Sequence, residues 1–201
     1  MIILLRWGIK MKLTSNDALK LLKEAEKTTT DLGWIRHSRC VGETAGIIAK
    51  KLELDIDKAT ALGYIHDIGK RTGDFFNHIM NGYNYLKELG YDDEYCNICL
   101  THSYLNNDIM CTAGGIPMDI QFRTEFIKNH EYTIYEKIIN LCDLMCTNKR
   151  MILEQRLIEI MIRRGCYENT VYHITEAKKL KEEFDKILGC SVYSLFNDIE
   201  I

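Results

Sequence analysis

Six groups able to hold a metal ion recur along the chain: His37, the adjacent His66 and Asp67, His78, His102 and Asp143. They fall on five successive segments with helical periodicity, four of them in strongly apolar surroundings. An imidazole or carboxylate among core side chains costs roughly several kcal/mol unless it is paired, and a divalent cation satisfies several such groups at once. Helical bundles build sites of this kind from inward-facing side chains. Singly, each residue has a plainer account, because a lone buried histidine more often hydrogen-bonds a backbone carbonyl than binds a metal. Six together favour a shared inorganic partner.

Other reactive residues fit the pattern less well. Cys96, Cys99 and His102 offer a zinc-like spacing, but they lie in one continuous helical segment and no further Cys/His pair follows at zinc-finger distance. Cys142 and Cys146 read as small core residues. His130 and His173 stand in polar surroundings and are expected at the surface. Tyr83, Tyr91 and Tyr104 have rings that could stack a nucleobase, although tyrosines beside a helical core serve more often as amphipathic packing.

The elements that must position these groups are helical. Thr14 and Asp17 resemble a capping box ahead of Ala18, Leu21, Leu22 and Ala25, which predicts a helix over about 15–28. A second stripe, Trp34, His37, Val41, Ala45, Ile48 and Leu52, puts His37 on its buried side. Asp55 or Asp57 caps a third helix closing around Gly69, with His66 and Asp67 in its last turn. After a short turn from Arg71 to Asp74, a fourth helix carries His78 and stops at Gly90; a fifth opens at Asp92, Asp93 and Glu94 and carries His102. Asn106 to Pro117, with the sole proline, forms the main irregular loop. A short helix over Phe122 to Phe126 and an apolar one from Thr133, with Asp143 in its middle, come next. Two amphipathic helices, roughly 150–164 and 170–188, read as scaffold with their charged residues facing outwards.

Composition narrows the class. A chain of 201 residues suits one core, and 46% hydrophobic with 27% charged residues matches an ordinary globular protein, not a disordered or membrane chain. One proline and 13 glycines leave few of the turns that an all-β fold needs. The expectation is therefore all-α, a single-domain helical bundle of about seven to nine helices. Residues 1–13 are a leader of uncertain status and 14–201 form the domain, with the site in about 30–150 and supporting helices in 150–201. A net charge of −3 supplies no field for a polyanion, which argues against a nucleic-acid polymer as partner. Ile2 to Leu5 is too short for a signal sequence, and no apolar run is long enough to span a bilayer. With eight cysteines read as reduced thiols, the expected setting is the cytoplasm, away from any membrane.

His66-Asp67-Ile68-Gly69-Lys70, preceded by Ala61-Leu62-Gly63-Tyr64-Ile65, resembles the signature of the HD-domain metal-dependent phosphohydrolase superfamily. His37 through Ala45 resembles the first-histidine helix of that family, Asn77-His78 through Tyr83 its third, and Thr101-His102-Ser103 its fourth. Tyr135 through Asp143 is similar to the helix holding the final aspartate in bacterial HD proteins that split diadenosine tetraphosphate symmetrically. A bare His-Asp dipeptide means little; the ordered set of six carries the likeness, over about residues 30–150.

The resemblance implies a binuclear centre, with one metal held by His37, His66, Asp67 and Asp143 and a second by His78 and His102, Asp67 bridging. Two divalent transition-metal ions are implied, iron first, with manganese, zinc or nickel also suited to nitrogen and oxygen ligands. A hydroxide between the ions would be the nucleophile, because coordination lowers the pKa of water from about 15.7 to about 7. Lys70, three residues past Asp67, is given a catalytic part as a point charge on phosphate, against the plain alternative that Lys70 and Arg71 complement a helix C-terminus. The implied reaction is hydrolysis of a phosphoester or phosphoanhydride in a small nucleotide, with a dinucleoside polyphosphate preferred. The competing reading is a mixed-valence di-iron oxygenase of the same fold acting on a small polyol or phosphonate. A third, an idle metal-stabilised binding module, sits poorly with a complete ligand set. Oligomeric state stays open, a homodimer included.

Overall fold

The computed structural model describes residues 10–114 and 121–199. Most of the leader, 1–9, and positions 115–117 of the irregular loop lie outside the described residues. Among the described residues the chain is all-α, as expected, with nine α-helices and no strand beyond two isolated bridges. The helices are α1 (Ser15–Glu26), α2 (Gly33–Lys51), α3 (Ile56–Ile65), α4 (His78–Glu88), α5 (Asp93–Thr101), α6 (Gln121–Asn129), α7 (Ile134–Asp143), α8 (Leu153–Arg164) and α9 (Thr170–Leu188). Short 3-10 helices cover Ile68–Thr72 and Val192–Leu195. No helix among the described residues is long and apolar enough to cross a membrane.

Local chemistry sets most boundaries. Thr14 Oγ1 accepts the Asp17 amide and opens α1, and an Asp55 carboxylate oxygen accepts the Lys58 amide and opens α3. Thr133 and Glu136 form a reciprocal capping box at the start of α7. Gly90 and Gly189 take positive φ just past α4 and α9, where residues with a side chain would be strained.

Several expectations need correction. The third helix stops at Ile65, so His66 is its cap and Asp67 leads into the 3-10 helix. Tertiary packing causes this: a Cβ at Gly69 would overlap the His78 carbonyl and the Gly82 amide, so the segment after Asp67 is wound tightly beneath α4. Asp143 ends α7 and does not sit in its middle, because the Met145 amide turns back to the Cys142 carbonyl at 3.0 Å. The helix expected over 122–126 runs from Gln121 to Asn129.

The main core gathers α1, α2, α3, α5 and α7 around Val41, Ala45, Leu62, Ile98 and Ile138, all fully buried. Helices α2 and α3 meet backbone to backbone, since a Cβ on Gly63 would overlap Gly42. A smaller cluster of Leu105, Leu144, Leu153, Leu157, Ile160 and Ala177 seats α8 and α9 against the ends of α5 and α7. Those two helices thereby close one side of the space into which the six candidate ligands point.

Candidate metal centre

Five of the six candidate groups stand at or just past helix ends. His66 caps α3 and Asp67 follows it, His78 is the first residue of α4, His102 caps α5, and Asp143 is the last residue of α7. His37 alone lies within a helix, on the inward stripe of α2. Helix ends from separate parts of the chain are thus aimed at one point. His66, Asp67 and His102 are buried, and the other three are partly buried.

The structure brings all six together as two triads. In one, His37, His66 and Asp143 offer ligand atoms that all lie within 4.8 Å of one another; in the other, Asp67, His78 and His102 do the same. His37 Nε2 is 2.8 Å from Asp143 Oδ1 and 3.2 Å from His66 Nε2. Asp67 faces both groups. Its Oδ2 is 3.5 Å from His66 Nε2 and 3.8 Å from His37 Nε2, while its Oδ1 is 3.4 Å from His78 Nε2 and 3.5 Å from His102 Nε2.

The tautomers follow from the backbone. His66 Nδ1 lies 2.7 Å from the Gly63 carbonyl, His78 Nδ1 2.6 Å from that of Phe75, and His102 Nδ1 3.0 Å from that of Cys99. A carbonyl only accepts, so each Nδ1 carries the proton and donates it. In the neutral ring this leaves the Nε2 lone pair facing inward, as metal-binding histidines held by an outer hydrogen bond do. Burial pushes both His66 and His78 down to about 4, so both rings are neutral at pH 7. Burial alone would raise the Asp67 carboxyl, but the Lys70 ammonium and neighbouring histidines hold it well below the usual carboxylate range. Asp143 is likewise lowered against its burial, chiefly by the hydrogen bond and charge of His37. Lone pairs and carboxylates therefore converge with few protons between them. A donor set of imidazoles, with His66 and His78 held neutral, and ionised carboxylates fits one or more divalent cations.

The residues around this centre line a cleft of about 620 Å³. Lys70 is among them, its ammonium paired with Asp67 Oδ2. Arg71 turns elsewhere, its guanidinium 4.2 Å from the centre of the Tyr85 ring. Tyr83, Tyr91 and Tyr104 do not line the cleft; Tyr104 is buried in a separate small core cluster. The cysteines are all free, and Cys96 and Cys99 are core residues.

Three residues of the cleft were hidden from sequence reasoning. His173, expected at the surface, is 4% exposed and points inward from α9. Arg156 and Arg164, expected on an outer face of α8, line the cleft instead. Spacing held a clue: Arg156 falls on the row of Leu153, Leu157 and Ile160, the face α8 buries. His130 is also less exposed than expected, its Nε2 2.8 Å from Glu136 Oε1 and its ring stacked on Phe126.

The family model described as HD domain matches residues 34–148, more than half of the chain. Ribonuclease Y of Fervidobacterium nodosum is 34% identical over 89 residues, which is 43% of this chain; the chain spans only 17% of that protein's length. Among solved structures, the L. monocytogenes phosphodiesterase PgpH HD domain superposes with a TM-score of 0.47 at 15% identity, covering 83% of this chain and 98% of that one. The same domain in complex with cyclic-di-AMP gives 0.46 at 17% identity, covering 90% and 87%.

Proposed function

Because the chain belongs to the HD domain family, we propose that it is a metal-dependent phosphohydrolase whose centre is formed by His37, His66, Asp67, His78, His102 and Asp143. The observation that carries this reading is Asp67, which turns one carboxylate oxygen toward each triad and so suits the bridge between two ions. Two divalent transition-metal ions, iron first, would supply Lewis acidity and a nucleophilic hydroxide at neutral pH. The chain's own part is positional. The three carbonyl-anchored imidazoles fix the centre, Lys70 adds a positive charge beside it, and the cleft leaves room for a small nucleotide. A phosphoester or phosphoanhydride of such a nucleotide is the bond cleaved, with a dinucleoside polyphosphate as preferred substrate. Free thiols throughout support a reducing compartment such as the cytoplasm.

The test is Asp67→Ala in metal-characterised protein. The wild type should contain close to two transition-metal ions per chain and release phosphate or nucleotide without consuming oxygen. The variant should lose turnover by about a thousandfold or more and at least one ion, while its far-UV circular dichroism stays helical. Oxygen uptake by the iron form together with an unreactive nucleotide panel would overturn the hydrolase reading.

A further inference from the structure

The cleft has two unlike walls. One is the centre of imidazoles and carboxylates. The other is the inner face of α8, where Arg156 and Ile160 are buried and Arg163 and Arg164 extend the same row one turn on. Residues 156–164 lie beyond the 34–148 that match the HD domain family, so this wall is an addition to the matched segment.

The arginines of this wall are unequally neutralised. Glu159 takes two of them, accepting from Arg156 Nη1 and from Arg163 Nε at 3.0 Å. Arg164 has no ion pair or hydrogen bond from its guanidinium among the described residues. Arg164 is exposed to solvent and lines the cleft, where the carboxylates of Asp143 and Asp67 act on its charge against that of the adjacent Arg163. Arg156 gives a second, independent sign. It is 8% exposed, and its Nε is buried with no partner.

Helix-dipole complementarity accounts for part of this only. It suits Arg163 and Arg164, both exposed in the last turn, of which only Arg163 is already paired. It does not suit Arg156, which sits in the first half of α8, where the dipole is unfavourable to a cation. A buried guanidinium with an unused donor, next to a cation lacking a counterion, is a site prepared for an anion from solution. The planar fork of arginine matches phosphate oxygens two at a time.

Resting on the phosphohydrolase reading, we infer that Arg164, backed by Arg156, binds a non-scissile phosphate of the substrate. The substrate is then a nucleotide with at least two linked phosphates, one at the imidazole–carboxylate centre and another on α8. A lone phosphodiester would leave the α8 wall unused. Arg164 is in this account a specificity determinant.

Binding of inorganic triphosphate to the full-length protein, followed by calorimetry, tests the inference apart from turnover. Arg164→Gln should weaken the Kd tenfold or more, Arg164→Lys should bind at least threefold tighter than the glutamine variant, and Lys20→Gln on α1, which removes the same charge elsewhere, should stay within twofold of wild type. Melting temperatures of all three should match the wild type. A smaller loss in Arg164→Gln, no recovery with lysine, or no triphosphate binding by the wild type overturns the inference. Cleavage of bis(p-nitrophenyl) phosphate by the wild type separately tests the hydrolase reading, so the two can fail independently.

Discussion

Burial sets the protonation of His66, His78 and His173, one residue at a time. His173 is held down to about 4 by burial, against an ordinary value of 6.5. A lowered folded value means that the unfolded chain takes up the proton first as pH falls. The stability tied to this ring is thus complete above about pH 6.5, falls as pH drops toward 4, and changes no further below. The shift corresponds to about 3 kcal/mol. Replacing His173 with glutamine should flatten the pH dependence of urea unfolding between pH 4.5 and 7 by about that amount, measured on chelator-treated protein; an unaltered slope would contradict its burial as a neutral ring. The same residue shows where sequence reading stops. His37, His66, Asp67, His78, His102 and Asp143 were legible because polar chelating types interrupted apolar stretches. His173 and Arg156 were not, because each is a polar side chain on a helix rich in charged residues, and it is the packing of α8 and α9 that turns them inward. A long arginine stem follows the apolar face that its helix buries, and hydropathy does not record this.

Among the elements, the joint between the 3-10 helix and α4 is the tightest. Gly69 lies against the His78 carbonyl and the Gly82 amide, and Gly82 in turn has Cys99 Sγ 2.9 Å from where a Cβ would stand. Gly69→Ala therefore has to push the start of α4 outward, and His78 with it. Overpacking of this kind costs about 1–3 kcal/mol. The variant should melt several degrees lower and lose activity by at least a hundredfold, with the second triad's ion depleted before the first in metal analysis. A variant with wild-type melting and two ions would show that α4 has slack. Helix starts at Thr14, Asp55 and Thr133 and the ends at Gly90 and Gly189 were readable because their signals are local. The stop of α3 at Ile65 was not, since it is imposed by α4 from across the fold.

For the whole molecule, the decisive fact is that His37 and Asp143 are 2.8 Å apart in space while more than a hundred positions apart in sequence. A centre assembled from five helical segments exists only in the folded chain, so ions bound there stabilise the native state alone. At free metal a thousandfold above its Kd this amounts to about 4 kcal/mol. For a chain of this size that corresponds to a melting temperature higher by about 8–16 °C. Chelation followed by scanning fluorimetry should show a fall of that order, restored by adding metal; no change would deny that the six groups hold ions. The all-α class and the helical order were legible at this scale because composition and periodicity average over many residues. The cleft was not, because its α8 wall arises from long-range packing.

Asn140 gives the architecture one more consequence. Its buried side-chain amide donates to the carbonyls of His102 at 2.8 Å, Thr101 at 3.1 Å and Tyr104 at 3.4 Å, one turn before Asp143 on the same helix. The tail of α5 is thereby indexed to the tail of α7, and with them an imidazole of one triad to a carboxylate of the other. The amide acts as a caliper, so the gap between the triads is a dimension the polypeptide sets in advance, and an ion is sized against it.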